Sequence, residues 1–224
     1  AVTTNRGART LNVWVANDCW SAWDGVSAQK KHYITQTMVD ALAQTFLNAA
    51  AWSAGSPIKA DLPTGASSYD IYGLVTSIFG AEWGTHSYTT LIQPDGELTI
   101  LLCDIDNNNS DNGGVVGYFT QRNCFLNSWL TAKGYASGNE RMMFYIDAVM
   151  FARPDSTTWE ISDYWPEELI STLAHEFQHM IMFYQKTVSR GTNAQTWLNE
   201  MCSLAAEDFV ANYIGVAGPR GVAY

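Results

Sequence analysis

His175 and His179 stand four residues apart in "TLAHEFQHMI" (172–181), and Glu176 directly follows the first. On an α-helix, positions i and i+4 lie almost above one another, about 6 Å apart. Two imidazoles so placed can share one cation at Zn–N distances near ~2.1 Å. Glu176 is rotated ~100° from His175. It flanks the cation instead of completing the ligand set, which is the place for a general base acting on metal-activated water. The bland alternative is a chance match. With only four histidines in the chain, that has a likelihood on the order of one in a few hundred. Leu169, Leu173, Phe177, Met180 and Ile181 around the motif are apolar. Polar groups inside so apolar a helix cost stability unless they have a purpose.

A catalytic zinc takes three protein ligands and keeps one position open. His32 and His86 lie far upstream, and no histidine follows His179. The next carboxylate is Glu200, in "TWLNEMCSLAAED" (196–208), with twenty residues between. That length lets the first helix finish, a loop reverse the chain and a second helix present Glu200 to the ion. Glu207 shares the helix face seven residues on, and Asp208 is eight on. Either is an alternative ligand, though Glu200 is nearer the helix start. A solvated surface glutamate is the bland reading.

These side chains need a scaffold. "LNVWVAND" (11–18) alternates as a strand does. Residues 28–52 predict one long helix, with Ile34, Met38, Leu42, Phe46 and Ala49 at helical spacing. Residues 69–80 suit strand or helix equally. "ELTILLCDID" (97–106) predicts a strand, and "GGVVGYFT" (113–120) could pair with it as a hairpin. "RMMFYIDAVMF" (141–151) is too apolar for an exposed strand. A helix is expected from Pro166, at its first position, to about Lys186. A loop follows at 188–195, then a helix from Thr196 to about Tyr213 with Trp197, Met201, Leu204, Ala205 and Phe209 on one side. Strands first and helices last predict an α+β fold. The expected division is 1–187, an α/β subdomain carrying the His-Glu-x-x-His helix, and 188–224, the start of a helical C-terminal subdomain.

Composition narrows the function. A net charge of −10, with 12 Lys plus Arg, disfavours sequence-independent nucleic-acid binding. No run approaches the ~18 apolar residues of a membrane span. Cys19, Cys103, Cys124 and Cys202 contain no Cys-x-x-Cys pair, so a cysteine zinc site is not expected. An even cysteine count in an acidic, lysine-poor, tryptophan-rich chain suits secretion with two disulfides, Cys103–Cys124 and Cys19–Cys202 being one of three pairings. Residue 1 is Ala, which fits a removed leader or a sequence starting downstream of one.

His-Glu-x-x-His followed by "NE" on a second helix resembles the glutamate-zincin clan of zinc metallopeptidases. The longer string "TLAHEFQHMI…TWLNEMCSLAAED" resembles the hyicolysin family within it, as do "IYGLVTSIFGAEWG" (71–84), "LLCDID" (101–106) and "GVVGYF" (114–119). The resemblance spans residues 70 to about 212. It implies a zincin-type fold and a secreted, zinc-dependent endopeptidase acting on proteins or peptides. His175 and His179 would be the first two ligands, Glu176 the base and Glu200 the third ligand. Thermolysin-like relatives carry an Asp four residues after that glutamate to orient a zinc histidine. Here the position is Leu204. Ser203 and Asp147 are candidate substitutes; for Asp147, capping backbone amides at a strand end is the plainer role.

Amide hydrolysis also needs a donor for the oxyanion, in this clan usually a downstream Tyr or His. Only Tyr213 and Tyr224 follow Glu200, and neither position is convincing. "GVAGPRGVAY" (215–224) reads as a loop, so the expectation is a fragment of a longer precursor whose C-terminal segment completes the cleft. "CDIDNNNSDNGG" (103–114) gathers Asp104, Asp106, Asn107, Asn108, Asn109 and Asp111. Oxygen donors in such a run suit calcium, but the EF-hand pattern fails and a solvated turn is the preferred reading. Two rivals to the enzyme are a catalytically weak surface adhesin and a metal-stabilised domain with closed coordination. Glu176 favours the enzyme, and no fourth protein ligand is evident.

Overall fold

The strands and helices follow from where the chain must hide apolar surface. In the computed structural model, which describes residues 2–6, 9–23, 25–26, 28–47 and 70–214, five strands form one mixed sheet in the order β1-β2-β3-β5-β4. They are β1 Val2–Arg6, β2 Arg9–Val15, β3 Glu97–Cys103, β4 Gly117–Phe119 and β5 Met143–Asp147. β2, β3 and β5 pair in parallel, with β1 and β4 antiparallel at the two edges. Parallel neighbours need a crossover. Between β2 and β3 it is made by α1 Gln36–Leu47 and α2 Ile71–Phe79. The fold is therefore mixed α+β, but its strands do not all precede its helices.

The expected hairpin of 97–106 with 113–120 does not form, because β5 lies between β3 and β4. All five residues of β5 are buried, so it needs neighbours on both sides. β4 is three half-buried residues, and a short strand suits an edge. The 141–151 run continues past β5 into a short buried helix, α4 Ala148–Phe151.

Helix α1 begins eight residues later than its periodicity suggests. Lys30, Lys31 and His32 are held by the 104–111 loop, and Ile34 bridges to Trp20. Met38, Leu42 and Phe46 are buried as expected, while the proposed continuation over 48–52 lies outside the described residues. The ambiguous 69–80 segment is helical. Asp70 caps it by accepting from the Gly73 N–H at 2.6 Å, satisfying one orphan donor of the first turn.

Helix α5, Tyr164–Met182, carries the motif. It starts two residues before Pro166, which still lies in the first turn, where its missing N–H costs nothing. The helix then widens into a π-helical turn at Phe183–Val188. Phe177 faces the sheet, its ring 5.2 Å from Phe46 and 6.4 Å from Phe144. This three-element contact fixes the motif helix in place; truncating such a ring to alanine costs about 3–5 kcal/mol.

Helix α6, Thr196–Ile214, packs on α5 through Ser203, Ala206 and Val210, all buried. The stripe Trp197, Met201, Leu204 and Phe209 faces solvent instead, at 40–63% exposure. The side of α6 turned to α5 also carries Ser203 and Glu207, which meet the two histidines. The two expected disulfides are absent: all four cysteines are free, with Cys19 and Cys124 buried. The thiol of Cys124 packs against the Met142 sulfur at 3.7 Å. Among the described residues no helix is long and apolar enough to cross a membrane.

Candidate metal centre

The two imidazoles project from one face of α5, ring centroids 4.6 Å apart and nearly perpendicular at 84°. Glu200, in the second turn of α6, reaches both: Oε2 is 3.4 Å from His175 Nε2 and Oε1 is 3.7 Å from His179 Nε2. One ligand atom from each of the three residues lies within 4.8 Å of the others.

The opposite ring nitrogens are occupied, which sets the tautomers. His179 Nδ1 lies 3.0 Å from Ser203 Oγ. The single Ser203 proton goes to Gln178 Oε1 at 2.7 Å, so the hydroxyl accepts from His179 Nδ1–H. His175 Nδ1 bonds a Glu207 carboxylate oxygen, and an ionised carboxylate only accepts. Glu207 is itself held by the Ser171 hydroxyl at 3.3 Å. Each imidazole therefore keeps its Nε2 lone pair for the space beside Glu200. Two neutral imidazoles and a carboxylate, each imidazole oriented from behind, are a donor set that fits zinc.

Electrostatics favour a cation there. Burial pulls His175 towards its neutral form, but the Glu207 hydrogen bond and the charges of Glu207, Glu176 and Glu200 outweigh it and raise its pKa. Glu176 is buried, 7% exposed. Burial pushes its carboxyl above the ordinary range, against the pull of His179, of His175 and of the Phe119 N–H. That N–H donates to Glu176 Oε2 at 2.7 Å, tying the motif helix to β4. The close approach depends on Gly117. A Cβ there would sit 2.7 Å from Thr172 Cγ2 and 2.9 Å from the Tyr145 carbonyl oxygen, closer than side chains pack. Beside the histidines opens a cleft of about 520 Å³ walled by Phe119, Thr120, His179, Met182, Phe183 and Glu200.

Other candidates sit elsewhere. Glu207 is behind His175, not among the three converging groups, and Asp208 is also outside them. Asp147 does not orient a histidine. It caps α4, accepting from Val149 and Met150 N–H at 3.0 and 2.9 Å, and from Ile105 N–H at 3.1 Å. The Tyr213 side chain and Tyr224 lie outside the described residues. His32 meets Asp111, and His86 Nε2 meets the Ile92 carbonyl at 2.9 Å.

In the 104–111 loop, protein groups already meet the carboxylates. Lys30 Nζ is 2.8 Å from Asp104 and 3.4 Å from Asp18. Lys31 and His32 hold Asp111 at 2.7 and 2.9 Å. Burial opposes ionisation of Asp104, but Lys30 and the amides of Asn109 and Asn108 hold its carboxyl below the usual range. The Asp106 carboxylate takes the Val115 N–H at 3.3 Å. These contacts explain why residues 30–32 stay out of α1, and they already meet the charge of Asp104 and Asp111 with protein groups.

The spacing 200/203/207 was the available signal for a helix face serving both histidines. Nothing in the sequence marks the Phe119 N–H, a backbone group.

A sequence model described as Peptidase M30 matches residues 1–218. The "Neutral metalloprotease ShpI" of Staphylococcus hyicus is 27% identical over 119 residues, which are 52% of this chain and 24% of that protein. The match thus spans about a quarter of the relative's length. No solved structure matches.

Proposed function

We propose that this chain, which belongs to the Peptidase M30 family, carries the zinc site of a zincin-type endopeptidase, with His175, His179 and Glu200 as ligands and Glu176 as general base. The observation behind this reading is the convergence of three donor atoms within 4.8 Å of one another, with both Nδ1 atoms turned to Ser203 and Glu207. Zinc held there supplies a Lewis acid that polarises a scissile carbonyl and acidifies a water.

The chain's own groups do the rest. Glu176 takes the proton from the attacking water and returns it to the leaving amine. Its Phe119 hydrogen bond holds one carboxylate oxygen and leaves the other for the proton. Burial, by raising its proton affinity, suits a group that must both accept and give at neutral pH. β4 is an edge strand, and an extended peptide can add to such an edge through main-chain hydrogen bonds. Extracellular action belongs to this reading on the acidic, lysine-poor composition; the free cysteines lend it no support.

The test is hydrolysis of an unstructured protein such as casein by zinc-loaded wild type and by Glu176→Gln. Zinc content should be the same in both, and the rate should fall by about 10²–10⁴-fold in the variant. Chelation should stop wild-type cleavage, and added zinc should restore it. Cleavage that survives in Glu176→Gln removes the mechanism.

A further inference from the structure

Past the end of β4 the chain does not return directly to β5. It makes a 3-10 turn at Gln121–Cys124 and the helix α3 Asn127–Ala132. This excursion extends a row of aromatic rings that begins in the metal cleft. The Phe119 ring is 6.2 Å from Phe183, and Phe183 is 6.4 Å from Phe125. Phe125 stacks on Trp129 at 4.8 Å and 18°, and Trp129 is 6.3 Å from Tyr135. Tyr135 is 61% exposed.

A groove of about 430 Å³ lies along the outer part of this row, walled by Arg122, Phe125, Trp129 and Tyr135. It shares the wall residues Thr120 and Gln121 with the metal cleft, so the two lie side by side. The groove is built in advance. The segment returning from α3 is pinned to the start of that helix by Gly138 N–H on Asn127 Oδ1 at 2.8 Å and to the turn by Asn139 N–H on Asn123 Oδ1 at 3.1 Å. A Cβ at Gly138 would come within 2.5 Å of the Arg122 carbonyl oxygen, so that packing depends on the glycine. Rings fixed in place lose little freedom on binding.

We infer that this groove is a substrate-recognition site, taking an aromatic or large aliphatic side chain of a peptide that runs alongside β4 past the metal cleft. The inference rests on the peptidase reading and names the side-chain chemistry the enzyme selects. Ring-on-ring packing and burial of apolar area supply the preference. A row of rings that served only to close α3 would not need an open groove ending on a mostly exposed tyrosine.

The test uses zinc-loaded Glu176→Gln protein and fluorescein-labelled decapeptides with a phenylalanine walked through an alanine–serine background. Affinity is read by fluorescence anisotropy. At one position phenylalanine should bind about tenfold tighter than alanine. Tyr135→Ala, an exposed substitution, and Trp129→Ala should each bring that ratio toward one. A ratio near one at every position overturns the inference. So does a ratio that both variants leave intact, or no peptide binding at all. Casein hydrolysis by the wild type and its loss in Glu176→Gln are scored separately and judge the peptidase reading, whereas the ratio judges the groove alone.

Discussion

Carboxylates gather at two places in this molecule, and what meets their charge differs. At the joint of α5 and α6, Glu200 and Glu207 face two imidazoles, Glu200 from the Nε2 side and Glu207 from His175 Nδ1. In the 104–111 loop, Asp104 and Asp111 face Lys30, Lys31 and His32. Both stretches offer carboxylates in sequence. Only the first leaves its negative charge for something from outside. An acidic cluster is thus a poor predictor of a cation site until the nearest lysines are placed. Those of this loop lie some seventy residues upstream.

The largest contrast should come from metal itself. Zinc at a hundredfold excess over its dissociation constant should stabilise the wild type by about 2.7 kcal/mol, visible as a rise in melting temperature. His179→Ala should abolish both the rise and the bound zinc. Millimolar calcium should shift neither protein. A calcium-induced rise that Asp104→Asn removes would erase the distinction between the clusters.

Within the first cluster, Glu207→Gln should weaken zinc binding about 10–100-fold, the usual loss when a group behind a metal histidine is changed. Ser203→Ala should fall at or below the lower end, since a neutral hydroxyl orients more weakly than a carboxylate. Competition against a zinc-binding dye would rank them, and the reverse order would mean that His179 depends more on its support than His175.

In the second cluster, Lys30→Met should cost about 1–3 kcal/mol by leaving the Asp104 carboxylate short of a partner. The pH dependence has a definite sign. Asp104 is held below its ordinary value, with burial opposing and Lys30 and nearby amides prevailing. Its contribution is present above ~3.9 and is lost as pH falls through its folded value. Lys30 is raised, mainly by its hydrogen bond to Asp104. Its contribution is present below ~10.4 and is lost as pH rises through its folded value. Urea unfolding across pH should show the wild-type advantage over Lys30→Met disappearing at both ends. The smallest effect is expected from Lys31→Ala, under about 1 kcal/mol, because that side chain is 42% exposed.

The sequence carried the motif helix well, because four-residue spacing and an apolar surround are local signals. It also carried the strand character of 97–103 and 143–147 through apolar runs. Pairing was less legible. That β5 would separate β3 from β4 depends on which strand is apolar on both faces, a competition between segments some forty residues apart. The late start of α1 was hidden for a similar reason: helical periodicity extends to residue 28, but ion pairs with a distant loop override it. For the site, Glu200 is the first carboxylate after the motif and so was nameable. The part played by Glu207 was not separable from a ligand's by spacing alone, since both residues project from one side of α6. The cysteines misled because an even number says nothing about distance.

Glu200, Ser203 and Glu207 ride on one rod, while the rings they address ride on another. A slip of α6 along α5 by a single residue's rise, ~1.5 Å, would detune all three contacts in concert. On the proposed zinc reading, metal retention becomes a strain gauge for that helix joint: whatever loosens the seam, heat or a remote substitution, should announce itself as metal loss before the sheet begins to melt.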